Sequence, residues 1–208
     1  MCVEIYSTEE QQVDAIKTFW KDYGTSIIIG AVVGLGGLYG WNTYSDYKVT
    51  QQEKASEAFQ SVGLQRADPV AMKTAAAEFS TAHDQKGYQA MLDLILAKAA
   101  VDAGDLAEAE KVLKQVIAAK PGSSLDVIAT IRLARIQAEQ GQLATAIATL
   151  EQVTDEAFLA QRDELKGDFL SRQGDVEKAK VAYQSAMDKG GAAASPGLKM
   201  KLDSLNQA

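Results

Sequence analysis

The sequence predicts an all-α protein: a single N-terminal transmembrane helix followed by a solenoid of repeated helix pairs. Three observations carry that expectation. Residues Tyr23 to Ser45 contain no charged side chain. The chain beyond them is rich in Ala, Leu, Glu, Gln and Lys, and the whole sequence holds only three prolines. Gly104, Gly141 and Gly174 recur in similar surroundings at a spacing of 37 and then 33 residues.

The uncharged run is long enough to cross a bilayer, because a helix rises about 1.5 Å per residue and roughly 20 residues cover a hydrocarbon core of about 30 Å. Phe19, Trp20 and Tyr23 precede its apolar centre and Tyr39, Trp41, Tyr44 and Tyr47 follow it, as expected of rings seated at headgroup level. A cleaved signal peptide is the rival reading. It fits less well, since a signal h-region covers only about 7–15 residues and ends at small residues, whereas this run ends in Tyr39, Trp41 and Tyr44. The first 22 residues form a short head. Val13, Ile16, Phe19 and Trp20 share one helical face, so the head either lies along the membrane surface or continues the membrane helix. Lys17 and Lys21 on one side of the span are matched by Lys48 and Lys54 on the other, so the positive-inside rule returns a tie. Within the span, Gly30, Gly34 and Gly37 line one face, with Gly36 and Gly40 beside it. That stripe is a candidate face for close packing against another membrane helix.

Six acids and two bases precede Lys48, leaving 22 acids and 19 bases beyond it. Mild acidity without a basic stripe excludes nucleic acid as a natural partner. The one cysteine is Cys2, so the domain beyond the span has no thiol for a disulfide or a metal. From residue 46 the pattern is helical. Residues 51–83 read as a worn repeat, with Asp68 as an N-cap and Pro69 opening a helix through Ala82. Copies then span about 90–123, 127–159 and 160–193, and a capping helix covers 196–206, with Lys199, Lys201 and Asp203 on its polar outer face.

Each copy carries a small residue seven positions before its turn glycine (Ala97, Ala134, Gly167) and another five after it (Ala109, Ala146, Ala179). A large core residue follows four positions later, Leu113, Leu150 and Tyr183. A period near 34 with this order resembles the tetratricopeptide repeat, although the proline ending a repeat survives only as Pro121.

No catalytic pattern emerges. His83 is the lone histidine, in a loop read as Thr81–Gly87, and neither a zinc set nor a phosphate loop nor a nucleophile elbow is present. The pairs Asp155-Glu156 and Asp163-Glu164 read as solvated charge. The chain is therefore expected to be non-enzymatic and to need no cofactor or metal. Repeat solenoids bind along the face lined by their first helices. By register that face includes Leu94, Lys98 and Val101, then Ile131, Arg135 and Glu139, then Glu164, Asp168 and Arg172. Lys98 and Arg135 are placed to meet a carboxylate.

The head Glu4-Ile5-Tyr6 with Gln12-Val13-Asp14-Ala15-Ile16-Lys17, the glycine-rich span ending in Gly40-Trp41, and the degenerate repeats together closely resemble the YfgM family. The resemblance implies an ancillary subunit of the SecYEG translocon in the bacterial inner membrane, single-pass, with a cytoplasmic N-terminus and a periplasmic repeat domain. It also implies association with the membrane-anchored chaperone PpiD; secreted or unfolded polypeptide is the other partner expected of the solenoid. An adaptor function follows from it; a holdase chaperone, or a module sequestering a signalling protein, are the alternatives. Topology separates the last of these: a cysteine introduced as Ser204→Cys should react with a membrane-impermeant thiol reagent in intact cells, and absence of labelling would overturn the outward assignment.

Overall fold

In the computed structural model, which describes residues 9–65, 68–122 and 124–206, helix α1 (Glu9–Gly63) starts ahead of the uncharged run and continues past it without a break. Of the two readings of the head, continuation of the membrane helix is the one observed over its described part. Cys2 and Glu4-Ile5-Tyr6 lie outside the described residues. The chain divides into two units, Met1–Glu53 and Lys54–Ala208.

The first unit is the greater part of α1. Ile27, Ile28, Ile29, Val32, Val33, Leu35 and Leu38 are all exposed, an apolar surface that water disfavours and hydrocarbon does not. Among the described residues, α1 is the one helix long and apolar enough to cross a membrane. Phe19 and Tyr23 pack with ring centroids 5.2 Å apart before the span, and the Lys48 ammonium sits 5.5 Å from the Tyr44 ring centre after it. Thr18 and Thr43 donate their hydroxyls to the carbonyls of Asp14 and Tyr39, at 2.8 and 2.9 Å, so these side chains satisfy themselves on the helix. Side chains added at Gly30, Gly34 or Gly37 would meet nothing within 4 Å. The glycine face is open.

The second unit contains the last residues of α1 and helices α2 (Pro69–Ala82), α3 (Lys86–Asp102), α4 (Leu106–Ala119), α5 (Leu125–Glu139), α6 (Leu143–Leu150), α7 (Leu159–Arg172), α8 (Val176–Asp188), the short α9 (Gly191–Ala194) and α10 (Gly197–Asn206). The Asp68 carboxylate accepts from the amides of Val70 and Ala71 with Pro69 behind it, which is the predicted start of α2. The loop after α2 is shorter than Thr81–Gly87, because α3 already begins at Lys86.

The three repeat turns share one hydrogen-bond pattern. The amide after each glycine reaches back to a carbonyl in the last turn of the first helix: Asp105 to Ala100 (2.8 Å), Gln142 to Gln137 (2.8 Å) and Asp175 to Leu170 (3.0 Å). This closure needs a left-handed residue just before it. Gly104, Gly141 and Gly174 supply it at φ +80, +81 and +86°, a conformation that costs a residue with a Cβ about 1–2 kcal/mol. Asp105 and Asp175 then cap the second helices through their carboxylates. Gln142 makes no such side-chain cap.

Four apolar clusters follow one another along the unit. Ala55, Val62, Met72, Phe79 and Leu92 form the first, and Leu94, Ala97, Ala109, Leu113 and Leu133 belong to the second. Ile131, Ala134, Ala146, Leu150 and Phe169 belong to the third, and Leu170, Ala179, Tyr183 and Leu198 to the fourth. Each predicted small residue is buried.

One carboxylate expected to be solvated is not. Asp163 is only 4% exposed. Arg162 Nε and Ser185 Oγ each donate to it at 2.7 Å, and Lys189 Nζ donates as well. Burial pushes its carboxyl upward, but the hydrogen bonds from Arg162, Lys189 and Ser185 outweigh that and hold it below its ordinary range. The Arg162 guanidinium also donates to the Val153 carbonyl at 3.0 Å, so one carboxylate ties α7 to α8 while its arginine secures the loop after α6. Asp155, by contrast, accepts the Ala157 amide at 3.0 Å.

The third copy substitutes glycine for alanine at residue 167 because its partner position holds a ring. A Cβ on Gly167 would stand 2.5 Å from Tyr183 Cδ1 and Cε1. The ring cannot withdraw easily, since Tyr183 Oη donates to Asp168 Oδ1 at 2.8 Å. Gly167→Ala should therefore destabilise the domain by about 1–3 kcal/mol, only partly offset by the roughly 1 kcal/mol better helix propensity of alanine. Adding Tyr183→Leu, the combination found in the second copy, should recover part of the loss. Urea unfolding followed by circular dichroism measures both, and an unaltered midpoint in Gly167→Ala would contradict the packing account.

Candidate binding groove and family

The first helices of the three copies, α3, α5 and α7, carry the predicted binding positions. Between α3 and α5 lies an apolar groove of about 320 Å³. Leu94, Ala97 and Val101 come from α3, Ile136 from α5, and Leu113 closes the floor from α4. Lys98, Arg132, Arg135 and Glu139 also line it. Leu94, Lys98, Val101 and Arg135 are thus brought together as the register implied.

Ile131 is a correction. It is 3% exposed and packed in the core cluster with Leu150 and Phe169, because the α5 face that carries it turns toward α6 and α7. Arg132 and Ile136, one position further on each time, line the groove instead. The repeat register carries Leu94 onto Ile131, and the packing against α6 and α7 that turns this position inward is not written in the local sequence. An apolar-then-basic pair at residues 131 and 132 was the available signal.

A second recess adjoins the first through the shared residues Arg135 and Glu139, and Asp168, Phe169, Arg172 and Tyr183 line it from α7 and α8. Apart from Arg135, its charges are satisfied internally. Arg172 Nη1 donates to Glu139 at 2.9 Å and Nη2 to the Ala138 carbonyl at 3.0 Å. Asp168 accepts both Tyr183 Oη and Lys201 Nζ, the latter at 2.9 Å. Lys201 also reaches Glu164 at 2.9 Å and lies 5.9 Å from the Tyr183 ring centre. Lys201 therefore does not belong to a solvated outer face of the cap; it clamps α10 onto α7. Partial burial lowers the Lys201 ammonium, but hydrogen bonds to Asp168 and Glu164 more than reverse this and leave it raised. Burial, followed by the neighbouring Asp168, pushes the Tyr183 phenol upward.

His83 caps α2 through its amide and stacks on Phe79 with centroids 4.9 Å apart, a packing role. Among the described residues no group of three or more His, Cys, Asp or Glu side chains is placed to hold a metal ion.

A turn-closed helix pair, repeated three times with a capping helix behind it, defines a tetratricopeptide-type repeat protein. The model of a tetratricopeptide repeat-like domain family matches residues 17–207. The chain is 32% identical to the ancillary SecYEG translocon subunit of Aggregatibacter actinomycetemcomitans, over 95% of this chain and 97% of that protein. It is 31% identical to the Haemophilus influenzae protein of the same name over the same shares, and 30% identical to the Escherichia coli one over 98% of this chain and all of that protein. It belongs to the family of ancillary SecYEG translocon subunits.

If Lys201 is the clamp, Lys201→Ala should speed amide hydrogen exchange in α10 several-fold while leaving exchange in α3 and α5 unchanged. Uniform acceleration across the domain would show that the cap is not a separate element held by this contact.

Proposed function

We propose that this chain is a non-enzymatic, membrane-anchored adaptor of the SecYEG translocon. The observation that carries the reading is near full-length relatedness to proteins named as ancillary subunits of that translocon, joined to a repeat domain with an apolar groove between its first helices. In this reading α1 crosses the inner membrane once with its N-terminus in the cytoplasm. The repeat domain then stands in the periplasm, where it holds the membrane-anchored chaperone PpiD or an emerging polypeptide near the translocon exit. The physical gain is local concentration: two partners tethered at one place meet at an effective concentration that reaches about millimolar.

The open glycine face of α1 is the surface assigned to the membrane partner. Small residues let two helix backbones approach closely in lipid, where packing rather than hydrophobic burial drives association. Isoleucine at Gly34 and Gly37 together should lower recovery of SecYEG with the protein from detergent-solubilised membranes several-fold, while the protein stays in the membrane fraction. Undiminished recovery would remove the glycine face from the account, and failure of the unaltered chain to recover SecYEG would overturn the adaptor reading itself.

A further inference from the structure

The adaptor reading leaves open what occupies the α3–α5 groove, and the charges around it narrow the choice. Lys98 is paired with Asp102 on its own helix, and Glu139 is taken by Arg172 of α7. Arg132 and Arg135 remain. They stand three positions apart on the same face of α5, both are exposed, and among the described residues neither is held by a carboxylate or a carbonyl. The chain carries a net charge of −7, yet this rim is cationic over an apolar floor.

The floor is small. At about 320 Å³ it lies at the lower end of the roughly 300–1,000 Å³ typical of specific ligand pockets. Leu94, Ala97, Leu113 and Ile136 are buried by the fold itself, and Val101, 39% exposed, stands at the edge. Such a site accepts an anchoring side chain or two. It does not offer the continuous apolar surface that an arbitrary unfolded segment would need.

Guanidinium groups bind carboxylates through paired, planar hydrogen bonds, and do so more strongly beside an apolar surface than in open water. An apolar anchor seated in the groove would bring its neighbouring residues against Arg132 and Arg135. A neutral neighbour would leave those cations uncompensated, and a basic one would be repelled.

We infer that the α3–α5 groove recognises a short acidic–apolar motif in a partner protein: one or two large apolar side chains flanked by aspartate or glutamate. It is a motif-reading site and not a general surface for unfolded chains. The inference rests on the adaptor reading for its biological setting but not for its chemistry. Its occupant is a defined segment of a partner, with unfolded clients the alternative that the experiment separates.

The full-length protein in detergent micelles is titrated into a fluorescein-labelled peptide Gly-Ser-Glu-Leu-Phe-Asp-Ser-Gly, and anisotropy is read. The peptide should bind, with affinity falling as salt rises, because exposed guanidinium–carboxylate attraction is screened. The Gln/Asn analogue and a Lys-substituted analogue should bind at least tenfold more weakly. Arg132→Gln with Arg135→Gln should remove the discrimination between the acidic and amide peptides without altering the circular dichroism spectrum, as both side chains are exposed. Any of three results overturns the inference: no binding of the acidic peptide, equal binding of the three peptides, or unchanged selectivity in the double variant. An unfolded, carboxylate-poor client that competes as well as the acidic peptide also overturns it, in favour of a holdase surface. Recovery of SecYEG with the double variant is read separately, so loss of peptide selectivity and loss of the adaptor reading remain distinguishable.

Discussion

Close approach of the two helices within each pair is the constraint on which the repeat domain depends. Ala97 and Ala109, Ala134 and Ala146, and Gly167 and Ala179 are all buried within these pairs. Small side chains there allow the backbones to draw together, and the large residues Leu113, Leu150 and Tyr183 then fill the space on either side. A well-packed interior tolerates little change in volume at such points. Position 167 shows the coupling within one repeat: the larger ring at 183 requires the smaller residue facing it. The turn glycines serve the same end, since their left-handed closure returns the chain early enough for the second helix to lie against the first.

The front of the domain is built by a different rule. The end of α1 and α2 meet through Val62, Phe59, Met72 and Phe79, with Leu92 of α3 beneath them. Tyr88 completes this cluster, its ring centroid 5.2 Å from that of Phe59 and 6.4 Å from that of Phe79. Small side chains share this contact with the large ones, Ala55 of α1 and Ala76 of α2 being buried in the same cluster. At the other end, α10 closes the last cluster with Leu198, and Lys201 answers Glu164 and Asp168. Paired in this way, the acids of α7 are drawn into holding the cap. The cationic rim over the α3–α5 groove has no such internal answer.

The groove and the buried carboxylate illustrate two uses of charge in one domain. Asp163 is enclosed by Arg162, Ser185 and Lys189 and fixes the relation of α7 to α8. Removing a partner from a buried, hydrogen-bonded charge is costly, and so the set persists as a unit. Arg132 and Arg135 stand at the surface, and among the described residues no carboxylate or carbonyl takes up their hydrogen-bonding capacity. Exposed charges of this kind add little to stability, which leaves them available for recognition.

Much of this protein was legible in the chain itself. The length and purity of the Tyr23–Ser45 run, the period of the turn glycines and the small residues flanking them are local or periodic properties, and each reports backbone geometry directly. They determined the single span and the helix pairs, and they named Leu94, Lys98, Val101 and Arg135 as candidates for one face. Tertiary structure decided what depends on the rotation and tilt of one helix against its neighbours. It turned Ile131 into the core and brought Arg132 and Ile136 to the groove. It buried Asp163 and drew Lys201 inward from a face expected to be solvated. A side chain's partners across 20 or more residues follow from where helices cross, and a one-position rotation of about 100° exchanges an inward for an outward place. Periodicity names the helix and its apolar stripe; only packing selects which polar side chains at the stripe's edge are buried, paired or left free.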